Sequence, residues 1–110
     1  MNVVTLIGNL ATDVDVRELQ NDKKVATFLL AVDRPTEGAD FIRIATWDRQ
    51  AQACAEFLAK GKRVAVDGRL RSRSWEEDGK RRTTIEVVAN RVQFLDTRRE
   101  ETPFETAPAA

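Results

Sequence analysis

Strand-like stretches, either apolar runs or alternating apolar and polar positions, fill most of this chain, and the spacing turns helical in one stretch. Val3 to Leu10 is a β-branched apolar run, as in a buried strand, with Gly8 marking a bulge or bend. Asp13 to Leu19 alternates weakly through Val14 and Val16, and Asn21-Asp22 reads as a turn. Val25 to Val32 is a second strand, with Ala26, Phe28, Leu30 and Val32 on one face. Pro35 and Gly38 make Asp33 to Asp40 a loop, and Phe41 to Trp47 is a third strand. Between Arg49 and Lys60 the spacing of Ala51, Cys54, Ala55 and Leu58 is helical, with Asp48 placed to cap the start and Gly61 the stop. Two strands follow, Arg63 to Trp75 and Arg81 to about Leu95, joined by a two-residue turn at Asp78-Gly79.

Three strands, one helix and a long hairpin predict an all-β fold of the OB type. This is a five-stranded, partly open Greek-key barrel whose helix, between strands 3 and 4, plugs one end. Phe28, Phe57 and Phe94 are expected in the core, and Cys54 as a small buried hydrophobe in the helix. Residues 1–96 form this domain. Residues 97–110 are polar with Pro103, Pro108 and an alanine-rich end, and are expected to be a disordered tail.

The turn fixes the register of the hairpin. With Asp78 and Gly79 as the loop, Glu77 faces Lys80 and Glu76 faces Arg81, both opposite in charge. Further down, Trp75 faces Arg82, Arg73 faces Thr84 and Arg71 faces Glu86. Leu70 faces Val87 and Gly68 faces Ala89 on the other side, which is expected to pack inward. Alternation thus gathers Arg69, Arg71, Arg73, Trp75 and Arg82 on one side of the ribbon. At ~3.3 Å per residue, Arg63 to Trp75 spans roughly 40 Å. A globule of this length is only about 30 Å across, so the hairpin projects from the barrel or curls around it.

The third strand repeats the theme. Phe41, Arg43 and Trp47 share one side, and Ile42 and Ile44 the other. Burying Arg43 unpaired would cost roughly several kcal/mol, which argues for an open face. Aromatics interleaved with arginines suit single-stranded nucleic acid. A base stacked on an aromatic ring is worth about 1–3 kcal/mol whatever the base, and arginine neutralises phosphate with release of counterions. The expected nucleic-acid-binding residues are Phe41, Trp47 and Trp75 for stacking, with Arg43, Arg69, Arg71, Arg73, Lys80, Arg81 and Arg82 for phosphate. Trp47 and Phe41 admit a second placement, in the core or a subunit interface, and Glu86 a role in neutralising Arg71.

Composition narrows the chemistry. The 110 residues carry 18 basic and 18 acidic side chains, so attraction for a polyanion must come from local clustering rather than net charge. The chain has no histidine and one cysteine, and no Gly-rich phosphate loop. No familiar triad, zinc site or nucleotide site can be assembled, and neither catalysis nor a cofactor is expected. Glu76, Glu77 and Asp78 cluster around the turn opposite Lys80 and Arg81, as cross-strand pairing requires. The single Cys54 suits a reducing cytoplasm. The start MNVVTLIGNL resembles neither a signal peptide nor a membrane span.

In their order and spacing, VTLIGNL, VATFLLAV, FIRIATW, AEFLAKGKRVAVDGRLRSRSW and TTIEVVANRVQFL resemble the bacterial single-stranded DNA-binding proteins, from Val3 to about Leu95. The resemblance implies an OB fold, and a homo-oligomer, usually a tetramer, with a dimer as the alternative. It also implies wrapping of single-stranded DNA without catalysis, in replication, recombination or repair, at the nucleoid. Phe41, Trp47 and Trp75 fall where the family has stacking residues. The loop DRPTEGAD lacks a further stacking aromatic of the family. The end EETPFETAPAA carries Phe104 internally, where the family commonly closes on acidic residues and a terminal Pro-Phe, so docking of replication and repair enzymes is not implied. Two other readings stay open: an RNA-binding or primosome-type OB protein, and an OB barrel whose aromatic face is a protein interface.

Overall fold

The computed structural model describes residues 1–95. Its elements are β1 (Val4–Leu10), β2 (Asp15–Glu18), a 3-10 turn (Gln20–Asp22), β3 (Lys24–Asp33), β4 (Ala39–Trp47), α1 (Asp48–Phe57), β5 (Arg63–Glu77) and β6 (Lys80–Phe94). The strands hydrogen-bond in the order β1-β5-β6-β4-β3-β2, and β1 also pairs with β3, which closes the ring. β4 and β6 meet in parallel at Ile44↔Val87 and Ala45↔Val88; the other pairings are antiparallel. This is the OB barrel that the pattern predicts.

The first strand is broken rather than continuous. Both β1 and β2 pair with the same edge of β3, at Leu10↔Leu30 and Asp15↔Thr27. The four residues between them on this strand oppose two on β3, so it bulges there. The Ala11 amide donates to the Leu29 carbonyl, and the Leu29 amide to the Thr12 hydroxyl, which satisfies the backbone across the bulge. Five strands therefore make the ring, and β2 carries the first one further along β3. At the closure, a Cβ on Gly8 would lie 2.3 Å from the Ala31 carbonyl oxygen, so only glycine lets β1 approach β3 this closely.

The core joins Leu10, Phe28, Leu30, Ile44, Val64, Val66, Val87 and Ala89 with Cys54 and Leu58. Ala26, Phe28 and Leu30 are buried on one face of β3, as alternation predicts. The helix packs mainly on β3, with Ala51 and Cys54 inward. It differs from expectation at both ends. Asp48 is its first residue, with φ 54°, and no side-chain cap bond forms at Trp47. The helix stops at Phe57, three residues early, because Leu58 leaves helical geometry while its amide still donates to the Cys54 carbonyl. Gly61 lies beyond, in a turn whose amide bonds the Leu10 carbonyl.

Two expected core rings are not in the core. Phe57 is 62% exposed and Phe94 is 40% exposed. They end α1 and β6 and meet each other with ring centroids 6.2 Å apart. Ala55 is exposed too, on the outer side of the helix.

The β5–β6 ribbon has the register that the turn implies, from Glu77↔Lys80 through Arg71↔Glu86 to Gly68↔Ala89. Asp78 and Gly79 both take positive φ, 54° and 76°, as a tight hairpin turn requires. The molecule measures 56 × 38 × 28 Å. Fifteen residues of strand span roughly 50 Å, so the ribbon outruns the barrel. Its second side therefore does not pack inward along its full length: Val87 is buried, but Leu70 and Ile85 are exposed. The expected tail, 97–110 with Phe104, lies outside the described residues.

Candidate nucleic-acid interface

Four strands lie side by side on the outer wall of the barrel. Pairing places Val25 beside Trp47, Thr27 beside Ala45 and Glu86 beside Arg71, and β2 adds Asp15 and Arg17 along the rim. Because alternation is strict, all of these side chains leave the same face. Together with Arg43 and Arg73 they line an open cleft of about 360 Å³.

Four arginines and two carboxylates line this cleft, for a formal local charge of +2 in a chain whose total is zero. The positive field is therefore local. Two guanidinium groups lie against the two tryptophans. The Arg71 guanidinium carbon is 5.9 Å from the Trp47 ring centroid, and that of Arg73 is 5.5 Å from Trp75. Both distances fall within cation–π range.

Glu86 lies between two of the arginines. Its side chain is 2% exposed. Arg43 Nε donates to its Oε1 at 3.1 Å, and Arg71 donates to its Oε2 through Nε at 3.1 Å and also through Nη2. Arg43 is thus neither unpaired nor buried: it leans on Glu86 with its side chain 43% exposed.

The structure brings Arg43, Trp47, Arg71 and Arg73 into one cleft and continues the row to Trp75, 40% exposed, and Arg82. Arg82 also pairs with Glu77, at 3.6 Å. Arg69 and Lys80 extend the same side of the ribbon in either direction by register. Phe41 is 63% exposed but stands six residues along β4 from Trp47, roughly 20 Å away. Arg81 faces Glu76 and so lies on the opposite side of the ribbon from the tryptophan row. Arg17, Asp15 and Thr27 are parts of the cleft that alternation alone did not reveal, because the pairing of β2 with β3 is not written in their spacing.

Among the described residues, no group of three or more His, Cys, Asp or Glu side chains could hold a metal ion. Burial pushes the Cys54 thiol up to about 11, a rise that a hydrogen bond with Thr46 partly offsets. No helix among the described residues is long and apolar enough to cross a membrane.

The Single-strand binding protein family matches residues 1–95, the whole barrel and its ribbon. The chain belongs to this family. Among its relatives, the single-stranded DNA-binding protein of Bacillus cereus is 46% identical over 105 residues, covering 89% of this chain and 62% of that protein. Single-stranded DNA-binding protein 2 of Listeria innocua is 45% identical over 105 residues, covering 89% and 66%. Single-stranded DNA-binding protein A of Bacillus subtilis is 45% identical over 103 residues, covering 87% and 60%. The chain spans less than two thirds of the length of each of these three members of the family.

Proposed function

We propose that this domain binds single-stranded DNA without reading its sequence and without catalysing a reaction. The observation that carries the reading is the row of alternating rings and guanidinium groups, Trp47 with Arg71 and Trp75 with Arg73, on one open face. Trp47, Trp75 and the outlying Phe41 stack on bases. Arg43, Arg69, Arg71, Arg73, Lys80 and Arg82 meet the phosphates. A duplex hides its base faces, so stacking of this kind selects unpaired strands. Arg81 is reached only by a strand that wraps to the far side of the ribbon. The relatives' names, each a single-stranded DNA-binding protein, support the choice of ligand.

The same reading places the protein in the cytoplasm at the nucleoid, as a homo-oligomer, with a tetramer favoured over a dimer. It would cover DNA exposed in replication, recombination or repair. Titration of tryptophan fluorescence with oligothymidine, a duplex and an RNA of matched sequence tests it. Quenching by oligothymidine at concentrations where the duplex has no effect is the expected result. No response to oligothymidine would make the aromatic face a protein interface, and a preference for RNA would reassign the ligand.

A further inference from the structure

Glu86 is an anion at the centre of a surface that, on the reading above, meets an anionic polymer. It is also the least accessible charged group of the cleft. An ordinary buried ion pair would enclose both partners. Here the carboxylate is enclosed at 2%, while the side chains of its partners reach solvent, Arg43 at 43% and Arg71 at 36%. The three residues come from three strands, β4, β6 and β5, and only the parallel contact of β4 with β6 brings them together.

The bonding geometry has a direction. Arg43 spends its Nε–H on the carboxylate, and Arg71 spends Nε and one Nη. A guanidinium has five N–H donors in a fixed plane. The remaining terminal donors of both side chains stay uncommitted to Glu86. Two long, flexible cations are thereby held at fixed orientations, one of them against Trp47.

We propose that Glu86 is a positioning residue for DNA binding: it anchors Arg43 and Arg71 side by side and cancels one of their two charges, so that the trio acts towards the phosphate chain as a single positive charge. This rests on the functional reading above. The trio then contributes one phosphate equivalent to counterion release, not two.

The test is the salt dependence of oligothymidine binding, with folding of each variant checked by thermal denaturation. Each phosphate neutralised on a single strand adds about 0.7 to the log–log slope. Glu86→Gln keeps the shape and removes the charge, so its slope should steepen by about 0.7, an extra loss of roughly 2.6-fold in affinity over a fourfold rise in salt. Glu86→Asp keeps the charge and should keep the parental slope, whatever it does to affinity. The double variant Arg43→Gln/Glu86→Gln loses one charge of each sign and should also keep that slope, which preserves the test if Glu86→Gln alone does not fold. A parental slope in Glu86→Gln, or a slope shallower by about 0.7 in the double variant, overturns the proposal. Arg71→Gln separates the two levels of inference: a slope shallower than the parent's with no effect of Glu86→Gln removes only the role of Glu86, whereas an unchanged slope removes this cleft from the DNA-binding site.

Discussion

Arg71 touches two residues of opposite character at once: its guanidinium carbon stands 5.9 Å from the Trp47 ring centroid, and its Nε donates to Glu86. The ring and the cation are therefore placed as a unit. Trp47→Ala removes both the stacking surface and the platform under Arg71. It should weaken oligothymidine binding by about 1–3 kcal/mol, equally for other base sequences. Trp75→Ala, at the second ring, should fall in the same range. Anisotropy titrations with labelled oligonucleotides of several compositions measure both. An unchanged affinity takes the ring concerned out of the site.

The two sides of the ribbon make opposite forecasts for two arginines. Arg73 stands beside Trp75 on the cleft side, whereas Arg81 faces Glu76 on the other. Arg73→Ala should make the salt dependence of binding to a short oligonucleotide shallower by about 0.7. Arg81→Ala should leave it as in the parent. An equal loss in both would mean that DNA meets both sides of the ribbon.

Closure of the barrel depends on Gly8. Gly8→Ala sets a methyl group 2.3 Å from a backbone oxygen that cannot swing aside. The expected cost is about 1–3 kcal/mol, as for other overpacked sites, seen as a lower urea midpoint. An unchanged midpoint would show that the β1–β3 seam has slack.

Cys54 ties stability to alkaline pH. Its thiol rises from 9.0 to about 11 in the folded protein. Between those values the unfolded chain has released the proton and the folded one keeps it, so stability falls as pH rises through this window. Below pH 9.0 the contribution is fully present. Cys54→Ala should flatten the decline relative to the parent in urea melts. A parallel decline in both would show that the thiol ionises as readily in the fold as in the unfolded chain.

Much of the fold is legible because local rules and tertiary structure agree. The Asp78-Gly79 turn sets the ribbon register, and alternation then places Arg71 opposite Glu86 and Trp75 opposite Arg82, as observed. Where elements end, the agreement fails. Phe57 and Phe94 look like core residues by type, yet both are exposed at the ends of α1 and β6 and meet each other instead, a long-range contact that no local pattern states. The helix stops before Gly61 because the packing of Leu58 against the core, rather than the glycine, ends it.

The sequence by itself determined the strand order along the chain, the face each side chain takes and the row of cations with Trp75 on the ribbon, since these depend on a period of two and one tight turn. Only the tertiary structure decided that β4 meets β6 in parallel, which puts Arg43 on the same carboxylate as Arg71, and that β2 brings Arg17 to the cleft. The physical reason is the range of the interaction. Periodicity reports the immediate neighbours along a strand, but the pairing of Arg43 with Glu86 joins residues 43 positions apart and exists only once the barrel has closed.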